Sequence, residues 1–285
     1  MQSIGRKHLI GIGVLAMAGV VALLQQGGSL FVPQANADGP VDLRACGLTS
    51  GPKGKVVSVI DGDTVVLTDG TEVRLVGIQA PKLPLGRRNF ETWPLADEAK
   101  RQLEGLVLGK DVQLFYGQNR GDRHGRTLAH LKTLEGEESL WAQGQMLAAG
   151  LARVYSFSDN RKCIEPLLAR ERFARGAGKQ IWDHGFYDIR KPHETGRYLD
   201  TFQVVEGRVR DTAEVNSGVY LNFGENWRED FTIFVSKSDV RRFEGGASFL
   251  LGLKGQTVRT RGWLKLRNGP MIDLTHPEQL ELVRG

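Results

Sequence analysis

From Gly54 onward the chain is patterned in short alternating runs. Residues 55–60, 64–67 and 72–76 are rich in β-branched side chains and are separated by Asp61-Gly62-Asp63 and Thr68-Asp69-Gly70. Asp-Gly between such runs is a hairpin signal, so three strands in a meander are predicted. Residues 82–92, with a proline near their start, a glycine and two adjacent arginines, read as a surface loop. The period then changes. Ala99, Leu103 and Leu106 fall on one face of a helix predicted over 95–106, with Gly109 just past its end. Strands are predicted at 111–116 and 127–132, flanking the turn Asp122-Arg123-His124-Gly125-Arg126. Helices follow at 140–149, stopped by Gly150, and at 164–174, where Ile164, Leu167, Leu168 and Ala174 keep helical spacing.

Five strands and three helices in this order match a five-stranded Greek-key barrel of the OB type with helices packed on it, an α+β, mainly β unit over residues 54–182. Residues 183–199, polar and carrying Pro192, read as a linker. The strand pattern restarts at 202–210, 219–223, 231–235, 257–264 and 271–274, predicting a second, smaller OB-like β-barrel over 200–285. The second unit carries Tyr220, Phe223, Trp227 and Trp263 near Arg259, Arg261 and Lys265. Such a set is either a stacking platform for single strands or ordinary core, and a protein-docking module is a further reading of this unit.

Residues 1–37 are a different material. Arg6 and Lys7 precede an apolar run over 9–24, and the segment ends Ala35-Asn36-Ala37. That order reads as a signal peptide cut after Ala37, which implies export to the periplasm or medium and leaves no membrane span. The alternative is an uncleaved N-terminal helix acting as an anchor, since about 17 apolar residues can span a bilayer. An irregular lead occupies 38–53. The formal charge of the 285-residue chain is +5, and removing Arg6 and Lys7 gives 5 − 2 = +3. So mild an excess permits nucleic-acid binding without requiring it. Cys46 and Cys163 are the two cysteines, and both fall in the exported part. An oxidising compartment favours a disulfide between them over two free thiols. His184 and His193 lack ligand spacing, and no zinc motif, P-loop or dinucleotide fingerprint is present.

The motifs Asp61-Gly62-Asp63-Thr64, Arg74-Leu75, Gly77-Ile78 through Pro81, Asp122 with Gly125-Arg126, and Gly150-Leu151-Ala152 before a helix containing Glu171 occur in one order. On these residues the chain over about 54–182 resembles the staphylococcal nuclease (thermonuclease) family. The resemblance implies an OB barrel and calcium-assisted hydrolysis of DNA and RNA. By position it implies that Asp63 is a calcium-binding carboxylate and that Arg74 and Arg126 grip the scissile phosphate, as a guanidinium fork does. The pattern then departs from the family. Gln79 stands for a second calcium-binding aspartate. Ala80 stands where a threonine usually offers its carbonyl, a contact that any residue can make. Lys82 stands for the glutamate that resembles a general base.

Replacing two carboxylates by an amide and an ammonium adds +3 of charge where calcium needs anionic oxygens, which argues against calcium as a cofactor. Arg74, Lys82 and Arg126 then form a three-cation cradle for a phosphate, with His124 beside it to stack or hydrogen-bond. The expected ligand is nucleic acid or another phosphate-bearing polymer, with cleavage weakened or lost. A working phosphodiesterase with altered metal dependence and an envelope scaffold for docking proteins are the rivals. A base relocated to Glu91, Asp97 or Glu98 is the weaker possibility, because acids in a first helical turn ordinarily complement the helix dipole.

Overall fold

The computed structural model describes residues 41–134 and 139–283, so the signal peptide read over 1–37 lies outside the described residues. The first barrel is closed and is built from β1 (Thr49–Asp61), β2 (Thr64–Leu67), β3 (Glu72–Leu75), β5 (Asp111–Tyr116) and β6 (Thr127–Thr133), in the order β1-β2-β3-β6-β5. All the pairs are antiparallel except β3 with β6. The long strand β1 closes the barrel by pairing β2 along one part and β5 along another. Two three-residue strands, β4 (Gly77–Gln79) and β7 (Arg153–Tyr155), pair with each other outside it. Helices α1 (Ala96–Val107), α2 (Ala142–Ala148) and α3 (Ile164–Gly176) cover the barrel.

The core is the inward face of this alternation: Val56, Val65, Val73, Leu75, Val112, Leu114 and Leu131, met by Ala99 and Leu103 of α1 and by Leu167 of α3. Burying each of the valine and leucine side chains contributes about 1.5–3 kcal/mol relative to leaving it in water. The turn between β1 and β2 depends on Gly62, because a Cβ there would sit 2.6 Å from that of Ala80 and 2.7 Å from that of Ala99.

Residues 183–199 hold three 3-10 turns, Gln180–Asp183, Gly185–Tyr187 and Pro192–Tyr198, the first of which begins just before them. The second unit contains β8 (Phe202–Arg208), β9 (Asp211–Val215), β10 (Gly218–Asn222), β11 (Thr232–Ser236), the short helices α4 (Lys237–Val240) and α5 (Gly246–Leu251), then β12 (Thr257–Leu266), β13 (Pro270–Asp273) and β14 (Leu280–Leu282). Its pairing runs β9-β10-β11-β13-β12, and β12 also pairs β8 and β14. Only Val209 and Arg210 separate β8 from β9, so the path returns on itself as in the first barrel. The parallel pair, β11 with β13, stands where β3 and β6 stand in the first. The second unit therefore has the predicted OB-like order, with a bent first strand. Its core gathers Val219, Leu221, Ile233, Val235, Leu250, Val258 and Ile272.

The described residues, 41–134 and 139–283, fall in one compact unit, so the two barrels are packed together. The expected disulfide joins Cys46 to Cys163, 117 residues apart, tying the segment before β1 to the start of α3. Closing so long a loop is worth roughly 4–5 kcal/mol in the chain-entropy model, and removal typically costs 2–5. Cys46→Ser with Cys163→Ser is expected to lower the unfolding free energy by about 2–4 kcal/mol in a urea titration, and added reductant should lower the parent by a similar amount.

Candidate functional site

The tight turn after β1 places two carboxylates side by side. Asp61 is nearly buried and Asp63 fully so, and the Asp63 N–H donates to Asp61 Oδ1 at 3.0 Å. Antiparallel pairing sets Thr64 opposite Arg74, which carries the guanidinium to Asp63 Oδ2 at 3.1 Å. Arg74 also donates to the carbonyls of Leu75 at 2.6 Å, Ile78 at 2.8 Å and Asp63 at 3.3 Å. Most of its fork is thus committed within the protein. The Ala80 N–H adds a bond of 2.8 Å to Asp63 Oδ2.

Lys82 completes this cluster, and in a way the sequence did not reveal. Its ammonium lies 2.6 Å from both oxygens of Asp63 and 3.2 Å from Asp61 Oδ2. The expected three-cation cradle is therefore not what the geometry shows: Lys82 turns toward the carboxylates and does not line the cleft that Arg74 and Arg126 share. The physical reason is charge. A buried carboxylate pair demands a counter-ion, and the lysine stem reaches it. Burial works against the Asp63 carboxylate, but the charges of Arg74 and Lys82 outweigh it and hold its pKa far below the usual range. Asp61 moves the other way, raised by burial and then by the neighbouring Asp63 charge.

Gln79 is turned elsewhere. Register pairs it with Arg153 across β4 and β7, and its Oε1 accepts from Arg153 Nε at 3.1 Å and from a terminal nitrogen at 2.9 Å. Arg153 goes on to the Phe202 carbonyl at 3.0 Å in the second barrel. Burial lowers the Arg153 pKa to about 10, so the neutral amide suits this buried guanidinium as a polar partner. Calcium takes six to eight oxygen ligands. Here an ammonium already holds the carboxylate oxygens of Asp63, and the Gln79 oxygen faces an arginine. Among the described residues no group of three or more His, Cys, Asp or Glu side chains is placed to hold a metal ion.

Arg74, Arg126 and His124 do come together. The parallel pairing of β3 with β6 puts Arg74 beside Leu128, two residues past Arg126, and all three line a cleft of about 520 Å³. Arg126 is held by Asp122, with Nε to Oδ2 at 2.8 Å and a terminal nitrogen to Oδ2 at 2.7 Å. Asp122 also accepts the N–H of His124 at 2.8 Å, which shapes the turn. These hydrogen bonds lower the Asp122 pKa despite the opposing effect of burial. Arg123 is a third arginine on the wall, against the acids Asp122 and Asp159. Tyr155 and Phe157 form an aromatic side, edge to face at 4.8 Å, and Trp263 joins them from the second barrel. Glu91 and Asp97 are exposed, Glu98 pairs with Arg101 on α1, and none of the three lines this cleft.

The sequence did not single out Asp61, Arg153, Tyr155 or Phe157. The signal for Asp61 was its place in the Asp-Gly-Asp turn, whereas the others depend on the β4–β7 pairing and the junction of the barrels. Of the suggested second-unit platform, Arg259 pairs with Glu206, Lys265 with Asp273, and Arg261 is buried. Tyr220 and Phe223 pack against Phe234 and Phe231. Only Trp263 of that set reaches the cleft.

Residues 72–184 match the family model for the staphylococcal nuclease homologue. The chain is 30% identical over 133 residues to a thermonuclease of Staphylococcus hyicus, covering 46% of this chain and 75% of that protein. It is 28% identical over 181 residues to a thermonuclease of Staphylococcus intermedius, covering 62% and 99%. An uncharacterized endonuclease of Escherichia coli is 32% identical over 132 residues, covering 45% and 76%. The chain belongs to the staphylococcal nuclease family.

Proposed function

We propose that this protein is an exported member of the family that binds nucleic acid or another phosphate-bearing polymer, with calcium-dependent phosphodiester hydrolysis weakened or lost. The observation that carries the reading is the Lys82 ammonium on both oxygens of Asp63. It stands in for a metal ion as the counter-charge of the turn, and protonated it has no lone pair with which to take a proton from water. Loss of a general base alone commonly removes a factor of about 100 to 10,000 in rate. Binding makes fewer demands. Arg126 has a half-buried guanidinium at the cleft, and a phosphate there would share it with Asp122. The Cys46–Cys163 disulfide supports export, because such bonds persist in oxidising compartments.

The test is affinity for a labelled single-stranded oligonucleotide across a salt series. Arg126→Ala is expected to weaken binding about tenfold or more and to reduce the slope of log affinity against log salt by about 0.7, the share of one phosphate contact. A slope unchanged by that substitution would place the binding surface elsewhere. Absence of any binding to DNA, RNA or polyphosphate would sink the proposal.

A further inference from the structure

Arg261 and Trp263 are two residues apart on β12, so their side chains leave the same face of the strand. That face lies against the first barrel. Arg261 bonds Glu171 of α3 at 2.8 and 2.9 Å, and the Trp263 indole N–H donates to the Tyr155 hydroxyl at 2.9 Å. Tyr155 ends β7 and lines the cleft with Arg74 and Arg126. The second barrel therefore supplies part of the cleft wall.

Trp263 is held by its polar edge yet remains 45% exposed, and Phe157 beside Tyr155 is 48% exposed. The arrangement leaves ring surface open to solvent within a cleft that also contains arginines. Aromatic faces next to cations are how sequence-tolerant sites hold unpaired bases while gripping the backbone. A duplex keeps its bases stacked on each other, and polyphosphate has none to offer. The volume of about 520 Å³ lies in the range of small-ligand pockets, which suits one or two nucleotides of a strand.

We propose that Trp263 is a specificity-determining residue of this cleft, selecting single-stranded nucleic acid by stacking an unpaired base next to the phosphate held by Arg126. The inference rests on the phosphate-binding reading given above. A purely structural role for Trp263 would act through its N–H bond to Tyr155, and Trp263→Phe separates the two, since it keeps an aromatic ring and removes the donor.

The experiment measures the affinity of the purified protein for a labelled mixed-sequence single-stranded oligonucleotide and for long-chain inorganic polyphosphate, with the urea midpoint of each variant as a folding control. Trp263→Ala is expected to weaken oligonucleotide binding about tenfold or more while leaving polyphosphate within about twofold, and Trp263→Phe to stay within about threefold of the parent for both. Three results overturn the inference: no loss of oligonucleotide affinity in Trp263→Ala, equal loss for both probes, or a loss in Trp263→Phe as large as in Trp263→Ala. If the parent protein binds neither probe, or Arg126→Ala leaves both affinities unchanged, the phosphate-binding reading fails and this inference falls with it.

Discussion

Arg261→Met is expected to destabilise the protein by about 3–5 kcal/mol near neutral pH, the usual result of removing one partner from a buried ion pair. Arg261 is 1% exposed and binds Glu171 at 2.8 and 2.9 Å and Glu281 at 2.6 Å. Glu171 is fully buried on α3 and also accepts the Val154 N–H of β7 and a bond from Arg175, so the substitution leaves it with a single cationic partner. The network bridges the barrels, because Glu281 on β14 is shared between Arg261 and Arg175. Arg261→Lys should recover only part of the loss, since an ammonium cannot reproduce the two-pronged contact.

The pH dependence follows from Glu281. Burial raises its pKa, but Arg261 and Arg175 overcome that and bring it from the ordinary 4.5 to about 2. A lowered carboxyl contributes stability that is present above pH 4.5 and lost as pH falls toward 2. In Arg261→Met this carboxyl returns toward its ordinary value, so the gap between parent and variant should narrow across that window. Urea titrations at several pH values check it, and a constant gap would show that Glu281 is not part of the effect.

The second large effect is expected at Lys82. Lys82→Glu removes the ammonium from Asp63 and adds a third carboxylate to the turn, leaving Arg74 as the cation on a buried pair. Without metal the loss should be about 3–5 kcal/mol. The same change assembles anionic oxygens where calcium can use them, so calcium should restore stability, by about 2.7 kcal/mol at a hundredfold excess over Kd. Lys82→Met should be destabilised without rescue by calcium. Gln79→Asp should add little to calcium binding, because the buried Arg153 guanidinium, which now donates to Gln79 Oε1 at 2.9 and 3.1 Å, would compete with the ion for the new, shorter carboxylate. Thermal melts with calcium and with chelator separate these outcomes.

Much of the fold was written in local pattern. The helix expected over 95–106 is observed at Ala96–Val107, and the strand at 111–116 coincides with Asp111–Tyr116. Both have enough residues for a period to show. Strands β4 and β7 have three residues each and form by pairing with one another, so no run announced them. β9 escaped notice because its residues are almost all exposed and carry no alternation, and 202–210 was read as one strand where β8 ends at Arg208.

The site divides in the same way. Asp63, Arg74 and Arg126 were legible because each sits in a short motif. The direction of Lys82 was not, since its partner lies 19 residues earlier, in a turn that the β2–β3 pairing and the path of the chain through β4 bring within reach. Gln79 meets Arg153 across 74 residues, and Glu171 meets Arg261 across 90. The first contact depends on β4 finding β7 within the first barrel, and the second on the junction of the two barrels, which neither half encodes alone.

The most direct measurement is cleavage of a labelled single strand by the unmodified protein across a calcium titration, set against chelator. With Lys82 as the counter-ion of Asp61 and Asp63, turnover should be slow or absent and should not change with calcium. Robust cleavage that rises with calcium and saturates would contradict the account, because an ion would then have displaced the lysine from the carboxylates it holds.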